Sequence, residues 1–438
     1  MFASQYTQPS EDLKAFIQQH IEPMSRATKF VQRQSKLNGT LFVLALVSSW
    51  LERPSASLND IAQSCAQMGV DISEAGLQQR MTWRAVALLQ GLFEAALRRL
   101  PKAKRLPDGV LANFRAVYLL DSTLISLPNK LSHLCAGFGG SASAAAVKLR
   151  LSFDYCSGRI AALEVLPGTA ADQACQQHLE LAQPGSLHVF DLGFFKVSVF
   201  ERLAAAQAYF ISRLQSQTAL YSLTQPQQRV DLPRLLCGVQ GGEIELALGQ
   251  QARLPVRLVY ARVPPAVAQE RRRKARRAAA KHGQQLSVRA LALLDWSLFI
   301  TNVPRAWLST DHIALVYGVR WQIELVFKLW KSQALLDQVG QCGPVRFLCQ
   351  LYARLLGLVF FHWLLTGVPL DPERERSLPK AFAILQRHAA RLREALTGAA
   401  DVLPALLAKL DKDFQRFARQ QHRRQKPSTL ARLLAAHA

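Results

Sequence analysis

Between Arg115 and Leu214 the hydrophobic pattern changes period again and again, and this order constrains the fold more than any other feature of the chain. Arg115–Leu120 is an apolar run that ends at Asp121. Val147–Tyr155 and Arg159–Leu166 read as strands joined at Ser157-Gly158, a hairpin signal. Residues 171–183 have helical spacing, and Leu187–Phe190 reads as a buried strand ending at Asp191. Val197–Ala206 then reads as a helix and Tyr209–Leu214 as a strand. The predicted order is β-β-β-α-β-α-β, an α/β fold. Two of its strands end in an aspartate, and in open α/β sheets functional groups gather at the carboxyl ends of strands.

A second stretch, Asp311–Lys331, reads DHIALVYGVRWQIELVFKLWK. On one helix, at about 100° per residue, Tyr317, Arg320, Glu324, Lys328 and Lys331 share a stripe about 80° wide. Val316, Val319, Ile323, Val326, Phe327 and Trp330 fall on a neighbouring arc, so one face buries while the other presents tyrosine, cations and a single carboxylate. An amphipathic surface helix with an i,i+4 Glu324–Lys328 pair has the same outline; the rest of the chain decides between the two readings.

The flanks are helical. Ser10 is expected to cap a helix to Ile21, and Ser57, with Asp60 three residues on, a helix to Gln67 that Gly69 stops. Ser73 then caps a second helix carrying Gln78, Gln79, Arg80, Thr82 and Arg84, the outline of a helix-turn-helix or of any helical bundle. Pro101–Asn113 reads as a linker. From Gln215 to Leu294, short apolar runs (Glu243–Leu248, Val256–Val263) suggest a β insertion. It holds RRRKARRAAAK, Arg271–Lys281, which suits a solvated helix as well as a phosphate-contacting one. Leu348–Leu365 and Lys380–Leu396 are helical again, and Asp411–Lys426 ends in a basic cluster.

Net charge narrows the partners. The chain has 438 residues and carries +23, which argues for a polyanion: nucleic acid or an anionic membrane surface. The longest apolar runs, Leu41–Trp50 and Leu355–Leu365, are short of the roughly 20 residues of a spanning helix, and the N-terminus has no signal-peptide pattern. Nucleic acid is therefore the expected partner, with no membrane. None of the seven cysteines is in a CxxC spacing, which suits reduced thiols in a cytoplasmic protein rather than a zinc site or disulfides. Asp121, Asp191 and Glu324, as oxygen donors, suit Mg²⁺ or Mn²⁺ in a site that activates a water or a 3′-hydroxyl.

These residues resemble a known family. Tyr317-x2-Arg320-x3-Glu324-x6-Lys331 is similar to the signature of DDE transposases of the insertion-sequence-four type. Asp121-Ser122-Thr123 and Asp191-Leu192-Gly193-Phe194 resemble its first two acidic motifs, and Pro167–Asp172 the segment between them. Phe210-Ile211-Ser212-Arg213 and Thr301-Asn302-Val303-Pro304 also match, while Gly318 stands where relatives commonly have a basic residue.

The resemblance implies a ribonuclease-H-like mixed-sheet core with Asp121, Asp191 and Glu324 as catalytic metal ligands. Tyr317, Arg320, Lys328, Lys331 and Arg213 would bind DNA, and Trp296 falls where a flipped base would stack, a place that equally suits a tryptophan packed at the root of the insertion. It implies a cut-and-paste transposase acting on terminal inverted repeats and target DNA as a homodimer, in the bacterial cytoplasm at the nucleoid. The expected domains are a helical end-binding region (1–100), a core in two parts (113–214 and 296–335), a β-rich insertion (215–295) and a helical C-terminal region (336–438). A transposase-derived DNA-binding regulator without catalysis, or a nuclease on the same core, are the rival readings.

Overall fold

The computed structural model describes residues 8–33, 36–101, 109–140, 142–281, 283–340, 342–366, 376–397, 402–420 and 429–436. Most of the linker, and Arg423, Arg424 and Lys426 of the last basic cluster, lie outside them. In chain order the elements begin with α1 (Gln8–Ala27), α2 (Gly39–Glu52), α3 (Leu58–Gln67), α4 (Glu74–Arg80) and α5 (Trp83–Arg99). Next come β1 (Ala116–Leu127), β2 (Ala145–Asp154), β3 (Arg159–Pro167), α6 (Gln177–Glu180), β4 (Ser186–Phe190), α7 (Val197–Ala205) and β5 (Tyr209–Arg213). They are followed by β6 (Leu220–Ser222), α8 (Leu232–Leu235), β7 (Gly241–Leu248), β8 (Leu254–Arg262), α9 (Pro265–Lys281), α10 (Val288–Leu293) and β9 (Trp296–Thr301). The chain closes with α11 (Thr310–Gly318), α12 (Trp321–Ser332), α13 (Pro344–Thr366), α14 (Leu378–Thr397), α15 (Val402–Phe417) and α16 (Thr429–Ala435). The fold is α/β, with a mixed sheet ordered β3-β2-β1-β4-β5-β9-β8-β7-β6.

Two compact units divide these elements. One comprises Pro107–Asp121, Ala171–Trp321 and Thr429–Ala438. In it β4 is buried at every position, as a parallel strand covered on both faces must be, and pairs in parallel with β1 (Leu120↔Phe190) and β5 (Val189↔Ile211). β5 meets β9 antiparallel, and β8, β7 and β6 continue from β9. Phe200 meets Phe190 edge-on at 5.8 Å and stacks on Phe210 at 4.5 Å, which fastens α7 to β4 and β5.

The other unit comprises Met1–Leu106, Ser122–Ala170 and Gln322–Ser428. Its core is α13, apolar all round, packed on α5, α2 and α1. By length and composition α13 could cross a bilayer, yet most of it is buried in the fold, as a core helix is. The β2–β3 hairpin turns where expected: Gly158 takes φ +68°, and Asp154 accepts hydrogen bonds from the Ser157 hydroxyl and the Cys156 amide. Gly168 lies so close to Ala146 that a Cβ would sit 2.6 Å from the Ala146 methyl and 3.1 Å from its carbonyl oxygen, a spacing only glycine tolerates.

Several local expectations change. Ser57 and Asp60 do form a capping box, and Ser73 does cap α4. Helix α4 nevertheless stops at Arg80, because the Thr82 side chain caps α5, so Arg84 belongs to the next helix. Ser10 lies inside α1 instead of capping it. Residues 171–183 hold only a 3₁₀ turn and the four-residue α6. The strand expected to end at Asp121 runs on to Leu127. The single helix expected over Asp311–Lys331 is interrupted: Val319 and Arg320 donate i→i−3 bonds to Val316 and Tyr317, tightening the turn between α11 and α12.

Candidate active site

Register brings the first two acids side by side. Leu120 and Phe190 are the last pair in the β1–β4 ladder, both buried, and Asp121 and Asp191 are the residues that directly follow them. Asp121 stays within β1, while Asp191 opens a 3₁₀ turn over Leu192–Phe194. One guanidinium serves both carboxylates: Arg320 Nη1 is 3.0 Å from Asp121 Oδ2, and its Nε is 4.0 Å from Asp191 Oδ1. The Arg320 and Asp121 side chains are only 16% and 17% exposed, Asp191 42%, so the ion pair is partly desolvated and Asp191 remains open to solvent.

Tyr317, in the last turn of α11, rests its ring on Phe299 at 5.0 Å and lies with its hydroxyl 3.4 Å from Asp191 Oδ1. Burial first, and then the negative charge of Asp191, push its pKa up to about 12, against the pull of Arg320 and Arg213. Tyr317 is thus a neutral hydrogen-bond donor at any ordinary pH. Arg213 ends β5 opposite Phe299 and makes no ion pair among the described residues, so its guanidinium is available to an anion. Its charge also reaches Arg271, whose pKa burial and Arg213 both lower. Arg271 is otherwise anchored to the Trp296 carbonyl and the Ser297 hydroxyl, which shows that the basic run on α9 is partly structural.

The Tyr317→Phe variant separates the roles of that hydroxyl. Near neutral pH it is expected to cost about 1 kcal/mol or less, the net worth of one hydrogen bond. The folded-state pKa of Tyr317 lies above its unfolded value, so its contribution is whole below pH 10 and is lost as pH rises towards 12. Melts of the two proteins should therefore converge, the variant losing less stability across that window. Parallel loss in both would remove Tyr317 from this environment.

Side chains absent from the motif reading support the site. Asn302 accepts from the Phe210 amide and donates to the Ala208 carbonyl, while the Thr301 hydroxyl donates to the Phe210 carbonyl. Thr301-Asn302 is in this way a clamp between β9 and β5. Arg257 on β8 donates to the carbonyls of Val303 and Leu308 and pairs with Glu243 on β7, which also accepts from the Thr310 hydroxyl. That network seats the loop before α11. The available signal was an arginine and a glutamate each embedded in an apolar strand run, a combination that implies a buried pair. Asp172, from the Pro167–Asp172 segment, also reaches this turn, its Oδ2 lying 3.8 Å from where a Gly193 Cβ would stand.

Glu324, Lys328 and Lys331 belong to the other unit, on α12. Ile323, Val326, Phe327, Leu329 and Trp330 bury one side of that helix, leaving Glu324 and Lys331 half-buried and Lys328 exposed. Lys331 Nζ donates to the Leu124 carbonyl at 2.8 Å, fastening α12 to the second half of β1. Trp296 is 8% exposed, with Tyr260 against its ring at 6.1 Å, so its side chain is a core group and not a free stacking surface. Among the described residues no group of three or more His, Cys, Asp or Glu side chains clusters as a metal site. Asp121 and Asp191 still suit a divalent ion, being oxygen donors that already share one cationic group.

Comparison with known proteins follows the same line. The family model described as Transposase DDE domain matches residues 112–360. The chain is 26% identical to the transposase for insertion sequence element IS231F of Bacillus thuringiensis subsp. israelensis, over 95% of this chain and 92% of that protein. It is 24% identical to the transposase for insertion sequence element IS1151 of Clostridium perfringens, over 91% and 89%. With the putative transposase InsL for insertion sequence element IS186A of Escherichia coli (strain K12) it shares 26% identity, over 69% and 83%.

Proposed function

The chain belongs to the transposase DDE domain family, whose model spans more than half of it, and on that premise we propose that Asp121, Asp191 and Glu324 are the metal-binding acids with which it moves a DNA element. It is an enzyme that cleaves and transfers DNA, in a family that uses divalent metal ions. The observation that carries the assignment is the pair of carboxylates emerging from adjacent parallel strands around one guanidinium.

Mg²⁺, with Mn²⁺ as a substitute, would suit these oxygen donors, with Glu324 as the third acid that would hold it. Bound there, the metal supplies Lewis acidity towards a phosphoryl oxygen and lowers the pKa of a ligated water. The protein's own groups do the rest. Arg213, Arg320, Lys328 and Lys331 hold backbone phosphates, and Tyr317 donates a hydrogen bond without bringing charge. Arg320 offsets part of the negative charge of the two aspartates. The reaction is cut-and-paste: hydrolysis at the terminal inverted repeats, then attack of the freed 3′-hydroxyls on target DNA. Two copies of the chain pair the two ends, at the bacterial nucleoid.

Purified protein, Mg²⁺ or Mn²⁺, and labelled DNA carrying the gene's own flanking ends test this beside Glu324→Ala. Cleavage and strand transfer that vanish in the variant while binding persists are expected. Binding without cleavage by either protein, with both metals and a dimer present, would falsify the catalytic reading in favour of a DNA-binding regulator.

A further inference from the structure

The first turns of α13 border a polar pocket of about 430 Å³, lined by Pro54, Gln338, Cys342, Arg346 and Arg354 among others, all within one unit. The size falls in the range of small-ligand sites. Arg354 points its guanidinium at backbone: Nη1 donates to the carbonyls of Leu335 (2.8 Å) and Gln338 (3.2 Å), and Nη2 to that of Pro54 (3.2 Å). Its Nε is buried with no acceptor, and so is Nε of Arg346, in the first turn of the helix.

A third cation is close. Lys130, Arg346 and Arg354 all act on the Cys342 thiol, partly offsetting the burial that raises its pKa. None of the three cations pairs with a carboxylate among the described residues. Burying cations costs several kcal/mol per charge unless opposite charge or hydrogen bonds compensate, and carbonyl oxygens compensate only in part. The first turn of α13 has no acidic residue, so its amide dipole adds positive potential. Arg346 and Arg354 line this open polar pocket without a carboxylate partner among the described residues, and the exposed Lys130 adds positive potential nearby, a setting complementary to one compact anion with several acceptor oxygens.

We propose that this pocket binds a phosphate group, separately from the acids assigned above. Two sources share that chemistry: a phosphodiester of a DNA strand passing this face, or a free phosphate compound. The first rests on the transposase reading; the second does not.

The test uses the full chain, Arg346→Ala and Arg346→Lys, after checking that all three melt alike. Calorimetry with inorganic phosphate gives one arm. The other is the slope of log affinity against log salt for a double-stranded oligonucleotide. Phosphate binding that weakens at least about tenfold in Arg346→Ala and returns in part with lysine is expected. A salt slope shallower by about one in Arg346→Ala assigns the phosphate to DNA; an unchanged slope with lost phosphate binding assigns it to a free compound. Phosphate affinity and salt slope that are both indifferent to Arg346 overturn the proposal.

Discussion

Asp121→Asn is expected to reduce end cleavage by ~10³-fold or more while leaving DNA binding nearly unchanged, because in its proposed role as a metal ligand its loss would remove roughly 4 kcal/mol of transition-state stabilisation. The substitution keeps the shape of the side chain and an oxygen that can still accept from Arg320, so the fold should survive. What disappears is the charge in a partly desolvated pair. Weakening the Asp121–Arg320 pair is expected to lower unfolding stability by only about 1–2 kcal/mol. Single-turnover cleavage of labelled ends, with a denaturant melt on the same preparation, separates the two effects. Cleavage within tenfold of the parent, alongside a large fall in stability, would make the Asp121–Arg320 pair structural and remove Asp121 from the chemistry.

A second large effect is expected far from any substrate. Trp330, 1% exposed on α12, stands edge-on to Phe327 (5.9 Å) and to His362 of α13 (6.2 Å). Burial holds His362 neutral, its pKa pushed down to about 4, so the contact is between uncharged rings. Trp330→Ala should cost about 4 kcal/mol through the cavity it opens between two core helices. Trp330→Phe should cost far less than the lost area suggests, because the indole Nε1 is buried without an acceptor and phenylalanine removes that unsatisfied donor. Since α12 carries Glu324, the alanine variant is also expected to lose cleavage at temperatures where its far-ultraviolet dichroism is still native. Equal stability of the alanine and phenylalanine variants would show that the ring packing does not hold α12.

The elements read correctly from the sequence are those decided within a few residues. Ser57 and Asp60 reveal a helix start because their side chains satisfy amides in the same turn. Leu187–Phe190 reads as a buried strand because Leu187, Val189 and Phe190 are apolar, and Gly158 as a turn because only glycine enters that backbone region without strain. Of the signature residues, Tyr317 and Arg320 do lie beside Asp191 and Asp121. Periodicity failed where the answer depended on distant parts. Asp311–Lys331 keeps helical spacing throughout, yet the chain turns at Val319–Arg320, where Arg320 pairs with Asp121, some 200 residues earlier. Trp296 could equally have been a stacking surface, until packing against Tyr260 made it a core residue.

What the sequence determined by itself was the fold class, the two aspartates at the ends of neighbouring core strands and the apolar face of the stretch that became α12. Local hydrogen bonding and hydrophobic period record which side of an element is apolar. What tertiary structure decided was which charges meet. Arg257 with Glu243, and Arg320 between Asp121 and Asp191, are each assembled from different segments of the chain. A buried charge is tolerated only in the company of a partner, and sheet register and helix packing, not sequence spacing, choose that partner.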